Sequence, residues 1–194
     1  PPLPIRVPER EQQLTRQIVA KAGANMDNAY VVLVVGASWP TKCWPDGHFA
    51  VLGDWLYDHG IIPVLVGSGP VESQKAAEIA AKMDIPPIDL VGKLNFKQLA
   101  YLFQQSAAVV GGDTGPTHLA VGIGAKTIML MGPTYPRRTG PYGQMENLLV
   151  ADRDCRECMK RACPLGHDCL AVIKPEQVEE KLRALVSALA AVSI

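Results

Sequence analysis

The chain has 194 residues, of which 48% are hydrophobic, and its 19 basic residues equal its 19 acidic ones. This composition is typical of a globular protein with a real core, and zero net charge provides no dominant attraction to nucleic acid or to an anionic membrane. No apolar run reaches the ~20 residues that a membrane-spanning helix needs, and no signal peptide is visible.

Strand-like and helix-like segments alternate along the chain. In chain order, the hydrophobic pattern predicts helix 9–24, strand 30–35, helix 46–59, strand 61–66, helix 71–83, strand 88–91, helix 95–105 with Asn95 as its cap, strand 107–111, helix 115–122, strands 126–131 and 148–151, and a helix that begins at Pro175. Strands buried on both faces are nearly continuous apolar runs. Their alternation with helices predicts an α/β fold with a parallel sheet.

Polar and glycine-containing loops follow several of the predicted strands. In an open α/β sheet, ligands bind beyond the carboxyl ends of the strands. The candidate binding loops are therefore 36–42, 67–72, 112–118 and 132–138.

The loop GGDTGPTHLA at 111–120 is the most informative of these. A helix start exposes unpaired N–H groups that suit a phosphate, and Gly115 allows close approach. Asp113 would repel a phosphate but could accept hydrogen bonds from the hydroxyls of an adjoining sugar. The alternative is that Asp113 or Thr114 only caps the helix while His118 packs in its first turn.

Two other loops carry polar side chains suited to a nucleotide. Ser38 and Lys42 form a plausible phosphate clamp, although the spacing is not that of a P-loop and an isolated lysine is usually a surface residue. The loop 67–72 has a G-x-G but lacks the third glycine of the dinucleotide fingerprint. Its Glu72 could bind a ribose diol or complement a helix dipole.

The C-terminal part of the chain contains a cysteine-rich loop at 152–170. Its cysteines are Cys155, Cys158, Cys163 and Cys169. One C-x-x-C pair with two further thiolates could bind zinc, and His167 could replace one thiolate. The spacing of Cys163 and Cys169 does not match the usual two-knuckle zinc pattern. Two local disulfides and packed free thiols are therefore the alternatives to zinc.

Five motifs occur in a fixed order: GASWPTKCWP, GSGPVE, DLVGKLNFKQLA, GDTGPTHLA and MGPTYPRRTGPYG. Together they resemble the motifs of glycosyltransferase family 9, the ADP-heptose:lipopolysaccharide heptosyltransferases, and the cysteine block also occurs in members. The resemblance extends from about residue 1 to 190. It implies the C-terminal half of a GT-B enzyme, a Rossmann-like parallel sheet with helices on both faces.

The resemblance implies a nucleotide site built from four residues. Ser38 and Lys42 match the residues that face the diphosphate, and Glu72 matches the acid that holds the ribose. Leu94 falls where the family has an apolar wall for adenine. Cys43 replaces the more usual arginine after Lys42, so the phosphate contact that this arginine would make is not expected here.

The same resemblance implies which residues lie at the sugar end of the site. Asp113 matches the acid on the sugar hydroxyls, while Thr114 and Gly115 offer backbone N–H groups to the phosphates. His118 matches the motif histidine. Lys42 and Asp113 are the expected catalytic residues, since Lys42 and the helix start would stabilise the departing diphosphate.

The resemblance also implies a domain division. Residues 1–29 would be an interdomain linker with a leading helix, and 30–194 the nucleotide-sugar-binding domain. The family's N-terminal acceptor domain, with the acid that deprotonates the acceptor, has no counterpart in this chain. We therefore expect the chain to bind ADP-heptose or a related nucleotide sugar, but not to transfer it alone to the lipopolysaccharide inner core.

Transfer in the family inverts the anomeric centre and requires no metal, so the only cofactor expected is a structural zinc at the cysteines. The implied location is the bacterial cytoplasm, at the inner membrane.

One rival interpretation of the sequence is an NAD-dependent oxidoreductase domain, weakened by the incomplete glycine fingerprint and by the lack of an acid after the second strand. The other is a zinc-binding interaction module, which leaves the four ligand loops unused.

Overall fold

The fold, described for residues 4–186 by a computed structural model, is a parallel β-sheet between two layers of helices. Residues 1–3 of the predicted linker and 187–194 of the predicted domain lie outside the described range. The helices are α1 Glu9–Lys21, α2 Asp46–Asp58, α3 Pro70–Ala80, α4 Phe96–Gln105, α5 Gly115–Gly122, α6 Pro136–Thr139 and α7 Pro175–Leu185. The strands are β1 Tyr30–Val34, β2 Ile62–Val66, β3 Ile88–Asp89, β4 Ala108–Gly112, β5 Thr127–Met131 and β6 Leu148–Val150. Three-residue or four-residue 3-10 helices lie at Pro40–Lys42, Met145–Asn147 and Cys169–Val172.

The six strands lie in the order β3-β2-β1-β4-β5-β6, and all neighbouring pairs are parallel. This is the Rossmann strand order, so the predicted α/β parallel fold is confirmed. The order reverses between β1 and β4, where Val34 is paired with Gly111. The loops after these two strands leave in opposite directions, which opens a crevice at the carboxyl edge of the sheet.

The central strand β1 supplies side chains to both faces of the sheet. Val31 and Leu33 pack with α2, α3 and α7, whereas Val32 and Val34 pack with α1 and α4. Alternate residues of a strand point to opposite faces, and every residue of β1 is buried, so both layers are anchored to it. The leading helix α1 belongs to the second layer, into which it buries Val19.

Local sequence signals account for several element boundaries. Asn95 caps α4 as predicted, because its side chain accepts hydrogen bonds from the N–H groups of Lys97 and Gln98. The predicted helix 9–24 ends earlier, at Lys21, since Gly23 takes a φ of 95° that leaves the helical region.

The end of β4 is in close contact with the loop that follows β1. A Cβ atom on Gly112 would overlap the carbonyl oxygen of Lys42, so only a residue without a side chain fits there. This contact places the candidate binding loop 36–42 directly next to the carboxyl end of β4.

Gly112→Ala is expected to lower the free energy of unfolding by about 1–3 kcal/mol, because the added methyl group must displace backbone rather than a flexible side chain. The matched control is Gly47→Ala in the first turn of α2, where a Cβ meets no atom within 4 Å. Urea unfolding of both variants checks this. Equal stability of the two variants would contradict the close contact.

Candidate functional site

A buried carboxylate lies at the centre of the carboxyl edge of the sheet. Asp113, directly after β4, is only 5% exposed. Its Oδ1 lies 2.7 Å from Nε2 of His118. Its Oδ2 lies 2.9 Å from Nζ of Lys42 and accepts hydrogen bonds from the hydroxyls of Thr134 at 2.7 Å and Thr139 at 3.2 Å.

These contacts determine the charge of Asp113. Burial alone would raise the pKa of its carboxyl group, but hydrogen bonds from His118, Thr134 and Lys42 outweigh burial and hold that pKa well below its usual range. Asp113 is therefore an anion at neutral pH, and its partners lie in the β1 loop, in α5 and in the segment after β5.

Lys42 provides the positive charge of the site. Its side chain is 15% exposed, and its ammonium nitrogen lies 4.6 Å from the ring centroid of Trp39. Such a contact with an aromatic face stabilises a cation. An ammonium group has three N–H donors, so Lys42 can hold Asp113 and still donate to an anionic ligand.

The start of α5 adjoins this ion pair. Thr114 is the N-cap residue by position but makes no side-chain cap hydrogen bond, and Asp113 bonds the four side chains described above instead. The alternative in which these residues serve only as caps is therefore not supported. The first N–H groups of a helix have no intrahelical acceptor, and Gly115 leaves open space above them, since a Cβ there would meet no atom within 4 Å.

Glu72 lies in a cavity of about 250 Å³ next to the start of α5. Its side chain packs against Gly36 and Gly67, where a Cβ at either position would meet it. The cavity is lined by Val34, Gly36, Ala37, Ser38, Gly67, Ser68, Glu72, Thr114 and Pro116. The structure thus brings together Ser38, Glu72 and Thr114, which belong to three separate loops of the sequence.

A smaller, mostly apolar cavity of about 100 Å³ adjoins the first and shares Gly67, Ser68 and Pro116 with it. Leu94 forms part of its wall, together with Leu90 and Leu99. Phe96, at the first position of α4, borders this cavity and is 73% exposed. An exposed phenylalanine beside an apolar cavity is a ready contact for a flat ligand group.

Sequence reasoning missed several contributors to the site. Thr134 lies in the candidate loop 132–138 and Thr139 just beyond it, and nothing in the sequence marks either hydroxyl as a partner of Asp113, since a threonine hydroxyl can donate to any acceptor. Phe96 was also missed. Its signal was an apolar residue immediately after the helix cap, on the solvent side of α4.

The five cysteines are free thiols in the structure. Cys169 is buried, and burial raises the pKa of its thiol. Within residues 4–186, no group of three or more His, Cys, Asp or Glu side chains is arranged to hold a metal ion. Zinc binding by Cys155, Cys158, Cys163 and Cys169 stays a prediction.

No helix in the described part of the chain combines the length and apolar character required to cross a membrane.

Comparison with known proteins gives the family. The model of glycosyltransferase family 9 (heptosyltransferase) matches residues 2–168. The chain belongs to this family. The resemblance drawn from the five motifs is therefore confirmed.

A similar bacterial protein agrees with this membership. The chain is 28% identical over 182 residues to lipopolysaccharide heptosyltransferase 1 of Pseudomonas aeruginosa, a match that covers 86% of this chain and 51% of the relative. The chain therefore spans about half the length of that protein.

Solved structures also resemble the fold. A glycosyl transferase family 9 protein from Veillonella parvula superimposes with a TM-score of 0.80 at 26% identity, over 93% of this chain and 52% of that one. The Escherichia coli heptosyltransferase WaaC with ADP superimposes with a TM-score of 0.64 at 25% identity, over 88% of this chain and 48% of that one. The predicted half of a GT-B fold agrees with these neighbours.

Asp113→Asn is expected to make stability less dependent on acid. A group whose pKa is lowered by folding stabilises the fold at any pH above its unfolded-state pKa of about 4. This stabilisation is lost as the pH falls from that value through the folded-state pKa. The wild type should therefore lose more free energy of unfolding between about pH 5 and pH 3 than the variant. At pH 7 the variant should be less stable by about 3 kcal/mol, the low end for a broken buried pair, because Lys42 can reach water.

Urea unfolding at several pH values measures this difference. The control is Asp27→Asn, which breaks the exposed ion pair with Arg16 and should change stability by less than about 1 kcal/mol. Parallel pH profiles for the wild type and Asp113→Asn would show that the buried carboxylate is not stabilised as described.

Proposed function

We propose that this chain is the donor-binding half of a heptosyltransferase that binds ADP-heptose or a related nucleotide sugar. The observation that carries the proposal is the Lys42–Asp113 pair, 2.9 Å apart, beside the open start of α5 and the Glu72 cavity. A cation and a helix start suit a diphosphate, and a carboxylate suits hydroxyl groups. The similar Escherichia coli enzyme was solved with ADP, which supports the nucleotide.

The two adjoining cavities suit the two parts of a nucleoside. The base would lie against Leu94 and Phe96 in the apolar cavity. The ribose diol would donate hydrogen bonds to Glu72 in the larger one. The diphosphate would then follow along Ser38 toward Lys42, where its negative charge meets the ammonium group.

The N–H groups at Thr114 and Gly115 would complete the diphosphate site at the start of α5. The sugar would lie beyond the diphosphate, near Asp113 and His118. In the structure Oδ2 of Asp113 already faces three donors, whereas Oδ1 faces only His118. A carboxylate has about four acceptor positions, so Oδ1 is the atom with room for a sugar hydroxyl.

The chemical contribution of this half would be stabilisation of the leaving group. In the transfer, the bond from the anomeric carbon to the diphosphate oxygen breaks, and the acceptor oxygen forms a bond to that carbon. Lys42 and the helix start would stabilise the charge that develops on the departing diphosphate. No cofactor is proposed for this step, and a structural zinc at the cysteines is a separate proposal that metal analysis of the purified chain tests.

The acceptor side of the reaction is proposed from the relatives. The chain covers 51% of the Pseudomonas aeruginosa heptosyltransferase. We propose that an acceptor-binding half supplies the base for a hydroxyl of the lipopolysaccharide inner core, at the cytoplasmic face of the inner membrane. The 194-residue chain alone should then bind the donor without transferring its sugar.

Titration calorimetry of the chain with ADP, ADP-heptose, UDP and NAD tests this function. ADP should bind in preference to UDP and NAD, and ADP-heptose more tightly than ADP. Asp113→Ala should abolish the gain in affinity from the sugar, because the sugar hydroxyls lose their carboxylate acceptor. Preference for NAD would favour the oxidoreductase hypothesis. Sugar transfer by the isolated chain would contradict the proposal that a separate acceptor-binding half is needed for the reaction.

Phe96→Ala is expected to weaken ADP binding about 5- to 150-fold, because stacking of a base on an aromatic ring contributes about 1–3 kcal/mol. The control is Ile85→Ala, a large exposed side chain that precedes β3, at the opposite end of the strand from Leu94. Calorimetry with ADP measures both. If the two variants bind ADP equally well, the base does not lie against Phe96.

A further inference from the structure

Part of the cysteine-rich loop, segment 155–163, is attached to the loop that follows β5. The N–H of Glu157 donates to the carbonyl oxygen of Gly132 at 2.8 Å, and the N–H of Met159 donates to that of Pro133 at 2.7 Å. Pro133 immediately precedes Thr134, whose hydroxyl donates a hydrogen bond to Asp113. Segment 155–163 is therefore bonded to the residue next to Thr134.

The two residues that make these bonds have unusual backbone conformations. Glu157 has a φ of 63° and Met159 a φ of 58°, and they are the two non-glycine residues with positive φ among residues 4–186. Such a conformation costs about 1–2 kcal/mol per residue. Strained backbone persists where surrounding contacts determine it, so the bonds to the β5 loop fix the shape of the segment.

The other side of the same segment is attached to the β1 loop. Thr41 is 5% exposed, and its Oγ1 lies 2.9 Å from the carbonyl oxygen of Lys160 and 3.2 Å from that of Arg161. The guanidinium group of Arg161 in turn donates to the carbonyl oxygen of Ser38 at 3.3 Å. Segment 155–163 thus joins the two loops that supply Lys42 and Thr134.

These contacts form a closed ring. It runs from Lys42 to Asp113 and Thr134 by side-chain contacts, and through Pro133 to segment 155–163 by a backbone bond. It returns through the hydroxyl of Thr41, the residue next to Lys42. We propose that segment 155–163 is a brace between the β1 and β5 loops, and that Thr41 is a positioning residue that holds Lys42 in place for the donor diphosphate.

The inference rests on the proposed function for its ligand, and its test uses Thr41→Val, which removes the hydroxyl while keeping a branched side chain. ADP affinity should fall about 3- to 10-fold, the effect of one lost hydrogen bond, and adenosine affinity should not change, since adenosine has no phosphate for Lys42 to bind. Calorimetry measures ADP, and an NMR titration measures adenosine.

Two further variants separate positioning from general destabilisation. Thr15→Val removes another buried hydroxyl, which donates to the carbonyl oxygen of Glu11 within α1, and should leave both affinities unchanged. Thr41→Ser keeps the donor and should restore ADP binding. Wild-type ADP affinity in Thr41→Val, or an equal loss for ADP and adenosine, would overturn the inference.

Hydrogen exchange tests the brace without any ligand. Thr41→Val should speed amide exchange at Lys42 and Cys43 in the β1 loop, and at Glu157 and Met159, relative to Thr15→Val. If the wild type fails to bind ADP, the proposed function is wrong, and the exchange rates alone decide the brace. Unchanged exchange at all four amides would overturn it.

Discussion

The burial of one carboxylate determines how the loops at the carboxyl edge of the sheet are arranged. An ionised group removed from water costs several kcal/mol unless it is paired and hydrogen-bonded, and Asp113 is almost fully buried. Its donors come from the β1 loop, from α5 and from the segment after β5. The loops therefore meet around Asp113 in the folded domain, and that meeting places Lys42 beside the start of a helix. The same interactions that satisfy a charge in the fold also place an ammonium group beside the open start of α5.

The sheet makes this convergence possible. Reversal of the strand order between β1 and β4 separates two loops that would otherwise crowd each other. The space between them contains the Glu72 cavity and, next to it, the apolar cavity bordered by Phe96. Glycine is required where the loops approach most closely, as at Gly112 beneath the Lys42 carbonyl. A polar and an apolar cavity thus adjoin each other along one edge of the sheet.

Much of this architecture was predictable, because buried parallel strands are continuous apolar runs and β1 is buried at all of its positions. Asp113 and Lys42 were found because they stand in distinctive motifs at strand ends. Their pairing was not predicted: Lys42 was expected to face a phosphate, and the structure pairs it with Asp113. Thr134 could not be assigned from sequence, since a threonine hydroxyl gives no local signal for a partner in another loop. The contacts of segment 155–163 were equally hidden, because its attachment to the β5 loop uses backbone amides, which every residue carries.

The ring of contacts through Lys42, Asp113, Thr134 and Thr41 has a consequence for how such a site can change over evolutionary time. Residues that share partners show energetic coupling, so the effect of one substitution depends on the identity of the others. A single replacement in the ring leaves a buried group without its partner, whereas a compensating pair does not. The ring should therefore vary as a block. Phe96, which borders the apolar cavity from the solvent side and is not a member of this ring, should vary independently of it.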